Sequence, residues 1–162
     1  MALSHNLRSD KPFLLLVISA MVLLSNVSVA LSDQKDIRLP QLFSDLKLSA
    51  SEDDAQIVEK KIWEIWVSHK VPRIKLLMDR GIKLLNNNKL NKALAVFNLI
   101  VDQAPDFSEA WNKRATIYFL MGDFEKSMHD IESTLALEPR HFGAIAGLGL
   151  IFNALELSLI HI

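Results

Sequence analysis

From Ser51 onward, apolar residues recur at spacings of three and four, and the stretches they mark are separated by short polar or proline-bearing breaks. That spacing places the apolar side chains of each stretch along one side of an α-helix. Ser51-Glu52-Asp53-Asp54 reads as a helix start, with a hydroxyl at the cap and acids where the helix dipole favours them. Ala55, Val58, Ile62, Ile65 and Trp66 follow in register and predict a helix to about His69, ended by Pro72. Trp63 falls off that stripe. Ile74–Asn86 and Leu90–Gln103 form the next two helices, the second with Leu90, Leu94, Phe97 and Val101 on one side. Asn86-Asn87-Asn88 is the turn between them, because asparagine tolerates left-handed backbone. Ser108–Met121, a turn at Gly122-Asp123, and Phe124–Leu137 repeat the arrangement, and Phe142–Phe152 begins a further helix. Upstream, Pro40 opens a shorter helix with Leu42, Phe43, Leu46 and Leu48 on one side, broken at Ser49-Ala50-Ser51.

The helices recur with a period. Arg80 and Arg114, Leu84 and Tyr118, Asn88 and Gly122, Lys92 and Lys126, and Pro105 and Pro139 all stand at one constant separation, a repeat of about 34 residues. Ile145, Leu148, Gly149 and Phe152 continue the series one period further on. This register, with Trp111-x-x-Arg114-Ala115-x-x-Tyr118 and a closing proline, resembles the tetratricopeptide repeat family, and the resemblance covers about half the chain. It implies an all-α fold: a short right-handed α-solenoid of antiparallel helix pairs. Residues 74–107 and 108–141 are the two full repeats, and 142–162 is an incomplete third with helix A only. Residues 51–71, with the short helix of the 31–50 lead-in, are expected to cap the open edge of the array, with Trp63 against the first repeat. Gly81 and Ala93 mark a close crossing of helices A and B, and the return of glycine at Gly149 predicts the same closeness there.

The resemblance also implies a concave groove lined by the A helices. In this chain its positions fall on Lys75, Met78, Ile82, Leu85 and Asn86, then on Glu109, Asn112, Thr116, Phe119 and Leu120, then on Gly143, Ala146, Leu150 and Asn153. The partner-binding candidates are Lys75, Met78, Ile82, Asn86, Glu109, Asn112, Thr116 and Phe119, for a protein or peptide laid along the groove. The alternative is that these residues only pack against the N-terminal helices. Relatives that grip a terminal carboxylate use a lysine, asparagine and arginine clamp; Met78, Ile82, Gly143 and Gly147 stand at most of those places here, so that ligand is not expected. Trp111 and Tyr118 are read as core. Arg80 and Arg114 occupy a place where the family carries leucine, either reaching a carboxylate across the helix pair or laying the stem along the surface.

The N-terminal region has its own pattern. Arg8 and Lys11 precede an apolar run from Phe13 to Leu24, and Ser28-Val29-Ala30 offers small residues to a signal peptidase. Residues 1–30 thus read as an export signal cut after Ala30, with an uncleaved membrane anchor over residues 13–31 or an organelle transit sequence as the alternatives. The wording of the second repeat, with Pro139-Arg140-His141-Phe142, is similar to exported proteins of this family in plants and bacteria. A secreted chain is therefore expected.

Composition adds exclusions. A net charge of -1 gives no field to attract nucleic acid, and with no cysteine the chain has neither disulfide nor thiolate chemistry. None of the five histidines lies in a zinc-protease arrangement. His129-Asp130-x-Glu132 reads as a solvated helix side rather than as metal ligands. No catalytic residue, metal or cofactor is expected. After Arg140 the only charge is Glu156, and Leu155–Ile162 is apolar where a turn and a second helix are due, which reads as a truncated third repeat. The functional expectation is a non-enzymatic interaction adaptor working through the groove, or a membrane-anchored assembly or scaffold factor.

Overall fold

The computed structural model describes residues 35–160, and side chains for 35–156. The predicted export segment, residues 1–30, lies outside the described residues. Those residues form seven α-helices and no strand. They are α1 (Leu39–Leu48), α2 (Glu52–Trp66), α3 (Pro72–Asn86), α4 (Leu90–Gln103), α5 (Ser108–Leu120), α6 (Phe124–Leu137) and α7 (Phe142–Ile160). Helices α3 and α4 pack as one antiparallel pair, α5 and α6 as a second, and α7 lies on the second pair.

Local chemistry fixes the ends. Ser51 accepts the Asp54 N–H at 3.1 Å and caps α2. Asp123 accepts the Lys126 N–H at 3.3 Å and caps α6. The turns between A and B helices need left-handed backbone, which Asn88 (φ 53°) and Gly122 (φ 78°) supply. Pro72, expected to terminate α2, instead opens α3, where its missing N–H leaves no helical bond unmade.

Apolar clusters among the described residues hold the array. The largest joins Ile74, Met78, Phe97 and Ile100 of the first pair to Phe107, Ala110 and Ile117, with Leu77, Leu84 and Trp111 against it. The crossing of α3 and α4 is close at Gly81, as its sequence position predicts. A Cβ there would come within 2.7 Å of the Phe97 ring. In the second pair the crossing is made by Ala115 and Ser127, whose hydroxyl donates to the Ala115 carbonyl at 2.8 Å. A further cluster joins Ile131 to Ala144 and Ile151 of α7. The expected closeness at Gly149 is not found: nothing lies within 4 Å of where its Cβ would stand, because no described helix crosses α7 there. Helix α7 continues straight through the position at which A helices of the first two repeats turn.

The N-terminal hairpin departs from expectation in its seat. Trp63 and Trp66 do not rest on the first repeat. Trp66 stacks on His141 at 4.1 Å, and Trp63 meets His141 and Phe142 edge-on at 5.5 and 5.2 Å. The residue that permits this approach is Gly143: a Cβ there would come within 2.7 Å of the Trp63 ring. Arg140 holds Glu138 and lies 4.2 Å above the Phe43 ring, which ties α1 to the same place. Within α1, Leu39 is the fully buried residue, whereas Leu48, expected on the apolar side, falls on the opposite side of the helix and is 76% exposed.

Candidate functional site

The N-terminal ends of α5 and α7 meet at a buried polar centre. Glu109, in the first turn of α5, is fully buried and faces His141, also fully buried, with Oε2 2.9 Å from Nε2. The Ala144 N–H donates to His141 Nδ1 at 3.2 Å, which caps the start of α7. Nδ1 therefore acts as the acceptor, and Nε2 carries the hydrogen that goes to Glu109. Asn112 donates to Glu109 Oε2 at 3.0 Å, and Lys113 Nζ stands 2.8 Å from Oε1. Burial pushes the Glu109 carboxyl upward, but Lys113 and His141 outweigh it and hold the group below its ordinary value. Lys113 also lies 4.8 Å over the Trp63 ring, so the hairpin seals this centre from outside.

This arrangement settles where the sequence-predicted groove residues stand. Glu109 and Met78 are fully buried and present nothing to a partner. Met78 is withdrawn because α5 packs over it, and Glu109 because α2 and His141 cover it. Lys75 is half-buried and paired with Asp79 on its own helix at 2.5 Å. Ile82 packs against the first-repeat cluster, and Asn86 is exposed at the end of α3.

Asn112, Thr116 and Phe119 do come together. With Ala115, Gly143, Ala146, Gly147 and Leu150 they line a pocket of about 110 Å³ between α5 and α7, floored by Ser127 and Ile131. Thr116 is exposed and donates to the Asn112 carbonyl at 3.0 Å, while Phe119 packs on Phe124 at 5.6 Å. Leu120 and Leu150, at 53% and 55% exposure, extend the apolar surface nearby. No charged side chain lines this pocket.

The two arginines at the family's leucine position behave differently. Arg114 donates from Nε and Nη2 to both oxygens of Asp130, at 2.7 and 2.8 Å, and from Nη1 to Asn98 of α4 at 3.0 Å. Its guanidinium lies 4.8 Å over Trp111 and 5.8 Å over Tyr118. Trp111 donates in turn to the Pro105 carbonyl at 2.8 Å. Arg80 is exposed. Asp130 is engaged by Arg114, and no group of three potential metal ligands occurs among the described residues.

Sequence reasoning missed the Glu109–His141 centre. Its signal was the aromatic pair Trp63 and Trp66, with one member off the stripe, because a second apolar side on a helix implies a second neighbour.

Antiparallel helix pairs repeating at one constant period define a short α-solenoid of the tetratricopeptide type. The chain is 40% identical over 116 residues to a TPR repeat-containing protein of Rhizobium etli, a match covering 72% of this chain. It belongs to the tetratricopeptide repeat family, whose members are generally non-enzymatic modules for protein–protein interaction. The match spans 57% of that relative's length. No protein-family model matches the chain, and no solved structure matches it.

Proposed function

We propose that this chain is a non-enzymatic adaptor that takes a short extended segment of a partner protein at the open end of its concave groove. One observation supports the reading most: Asn112, Thr116 and Phe119 of α5 face Gly143, Ala146 and Leu150 of α7 across an uncharged pocket of about 110 Å³. Its size suits one small apolar side chain, with the Thr116 and Asn112 polar groups beside it for a partner's backbone. Trp63 of the chain itself packs against Gly143 at one edge of this pocket, which favours a short partner segment. The test is crosslinking of the full chain in its native setting, comparing wild type with Thr116→Trp, which fills the pocket, and Phe119→Ala, which widens it. Loss of the same partner from both variants is the expected result. Identical recovery from all three proteins removes the groove from consideration.

We also propose that the chain is exported, with residues 1–30 removed. A mature protein beginning at Leu31 by mass spectrometry is the expected result; one retaining residues 13–31 favours the membrane-anchored assembly factor. No helix among the described residues is long and apolar enough to cross a membrane.

A further inference from the structure

We propose that the outer side of the first repeat is a second docking surface, and that it takes an amphipathic helix of another protein bearing a carboxylate midway along its apolar side. A furrow of about 270 Å³ runs there between α3 and α4, lined by Leu77, Arg80, Leu84, Lys92, Val96 and Leu99.

The second repeat shows what such a face holds. Trp111, Arg114 and Tyr118 stand one period after Leu77, Arg80 and Leu84. Trp111 packs into the cluster that includes α4, and Arg114 reaches Asn98 on α4. The occupant of this register is therefore a helix, laid across with its apolar side inward. In the first repeat no described helix lies there; Leu99 is 49% exposed, and Arg80 is exposed too.

Charge then specifies the occupant. Arg114 is satisfied by Asp130 within its own repeat. The residue one period before Asp130 is Val96, so the first repeat keeps the guanidinium and lacks the carboxylate. Lys92 lines the same furrow as Arg80, and no acid does. A helix with leucine-like residues and one aspartate or glutamate at the level of Arg80 supplies both missing halves: the apolar cover and the anion. A lysine at that level places a third cation in the same furrow.

The probe is a helix-stapled peptide of residues 89–104, the helix that covers the equivalent face of the second repeat. Two versions carry Asn98→Asp and Asn98→Lys. Fluorescence anisotropy against the full chain is expected to show the Asp version binding about fivefold more tightly, the scale of one partly shielded ion pair. Arg80→Ala in the protein is expected to abolish that preference, and Thr116→Trp to leave it intact, which separates this surface from the groove. Equal binding of the two peptides overturns the proposal. So does a preference that survives Arg80→Ala, and so does self-association of the chain that Leu99→Glu removes, which assigns the face to a second copy. Circular dichroism of the Arg80→Ala variant checks that the exposed substitution leaves the helices in place.

Discussion

The two full repeats share a register and differ in what each position touches. Position for position, Lys75 and Met78 in the first become Glu109 and Asn112 in the second, and Val96 becomes Asp130. In the first repeat these sites are a surface ion pair and plain core. In the second they are a buried carboxylate centre and a guanidinium–carboxylate fork. The helix pair itself is the same. What differs is the neighbourhood: the second repeat is covered on one side by α4 and on the other by α7 and the hairpin. The backbone repeat thus fixes where side chains stand, and the neighbour decides whether they serve as core, as hidden charge or as surface.

The largest test of this contrast is to remove the two arginines in turn. Arg114→Ala leaves Asp130, 1% exposed, without its cation, and is expected to cost about 3–5 kcal/mol. Arg80→Ala touches an exposed side chain and is expected to change stability by less than about 0.5 kcal/mol. Urea unfolding of both variants measures the difference. Near-equal values would mean that Asp130 finds other partners and that the fork is not what distinguishes the repeats.

The next effect concerns acid. Glu109 is held below its ordinary value in the folded chain, so the charged form favours folding. That contribution is complete above the unfolded-state value of about 4.5 and is lost as pH falls through the lower folded-state value. Glu109→Gln keeps the shape and removes the charge facing Lys113 and His141. It is expected to cost about 2 kcal/mol at neutral pH and to flatten the fall in stability on acidification. An unchanged acid slope in the variant would assign that slope to other carboxylates.

The period and the helix stripes made the solenoid legible from the chain. Helix identity follows from local spacing, and pairing follows from repetition, so Trp111, Phe97 and Gly81 fell into core positions without any structure. The groove was less legible. Its register is a family average, whereas the openness of each position depends on contacts far apart in sequence. Glu109 lies 32 residues from His141, and Trp66 is more distant from it still, two helix pairs back along the chain. Nothing local to Glu109 announces that a tryptophan-bearing helix will cover it. Leu48 failed for a local reason: at about 3.6 residues per turn it falls on the side of α1 opposite Leu39, Leu42 and Leu46, so the helix itself turns it to solvent.

The smallest effect is the one whose sign the neighbour alone decides. Gly81 and Gly149 occupy equivalent places, and intrinsic propensity favours alanine over glycine at both by about 1 kcal/mol. At Gly81 the added methyl lands 2.7 Å from the ring of Phe97, which is fully buried and has no free direction to move. Overpacking of this kind costs about 1–3 kcal/mol, enough to exceed the propensity gain, so Gly81→Ala is expected to destabilise the chain by about 1 kcal/mol. At Gly149 the methyl meets nothing within 4 Å, and Gly149→Ala is expected to stabilise it by up to about 1 kcal/mol. Thermal unfolding of the two variants reads the signs directly. A destabilised Gly149→Ala would reveal a helix lying over α7 in solution, and with it a third repeat packed as closely as the first.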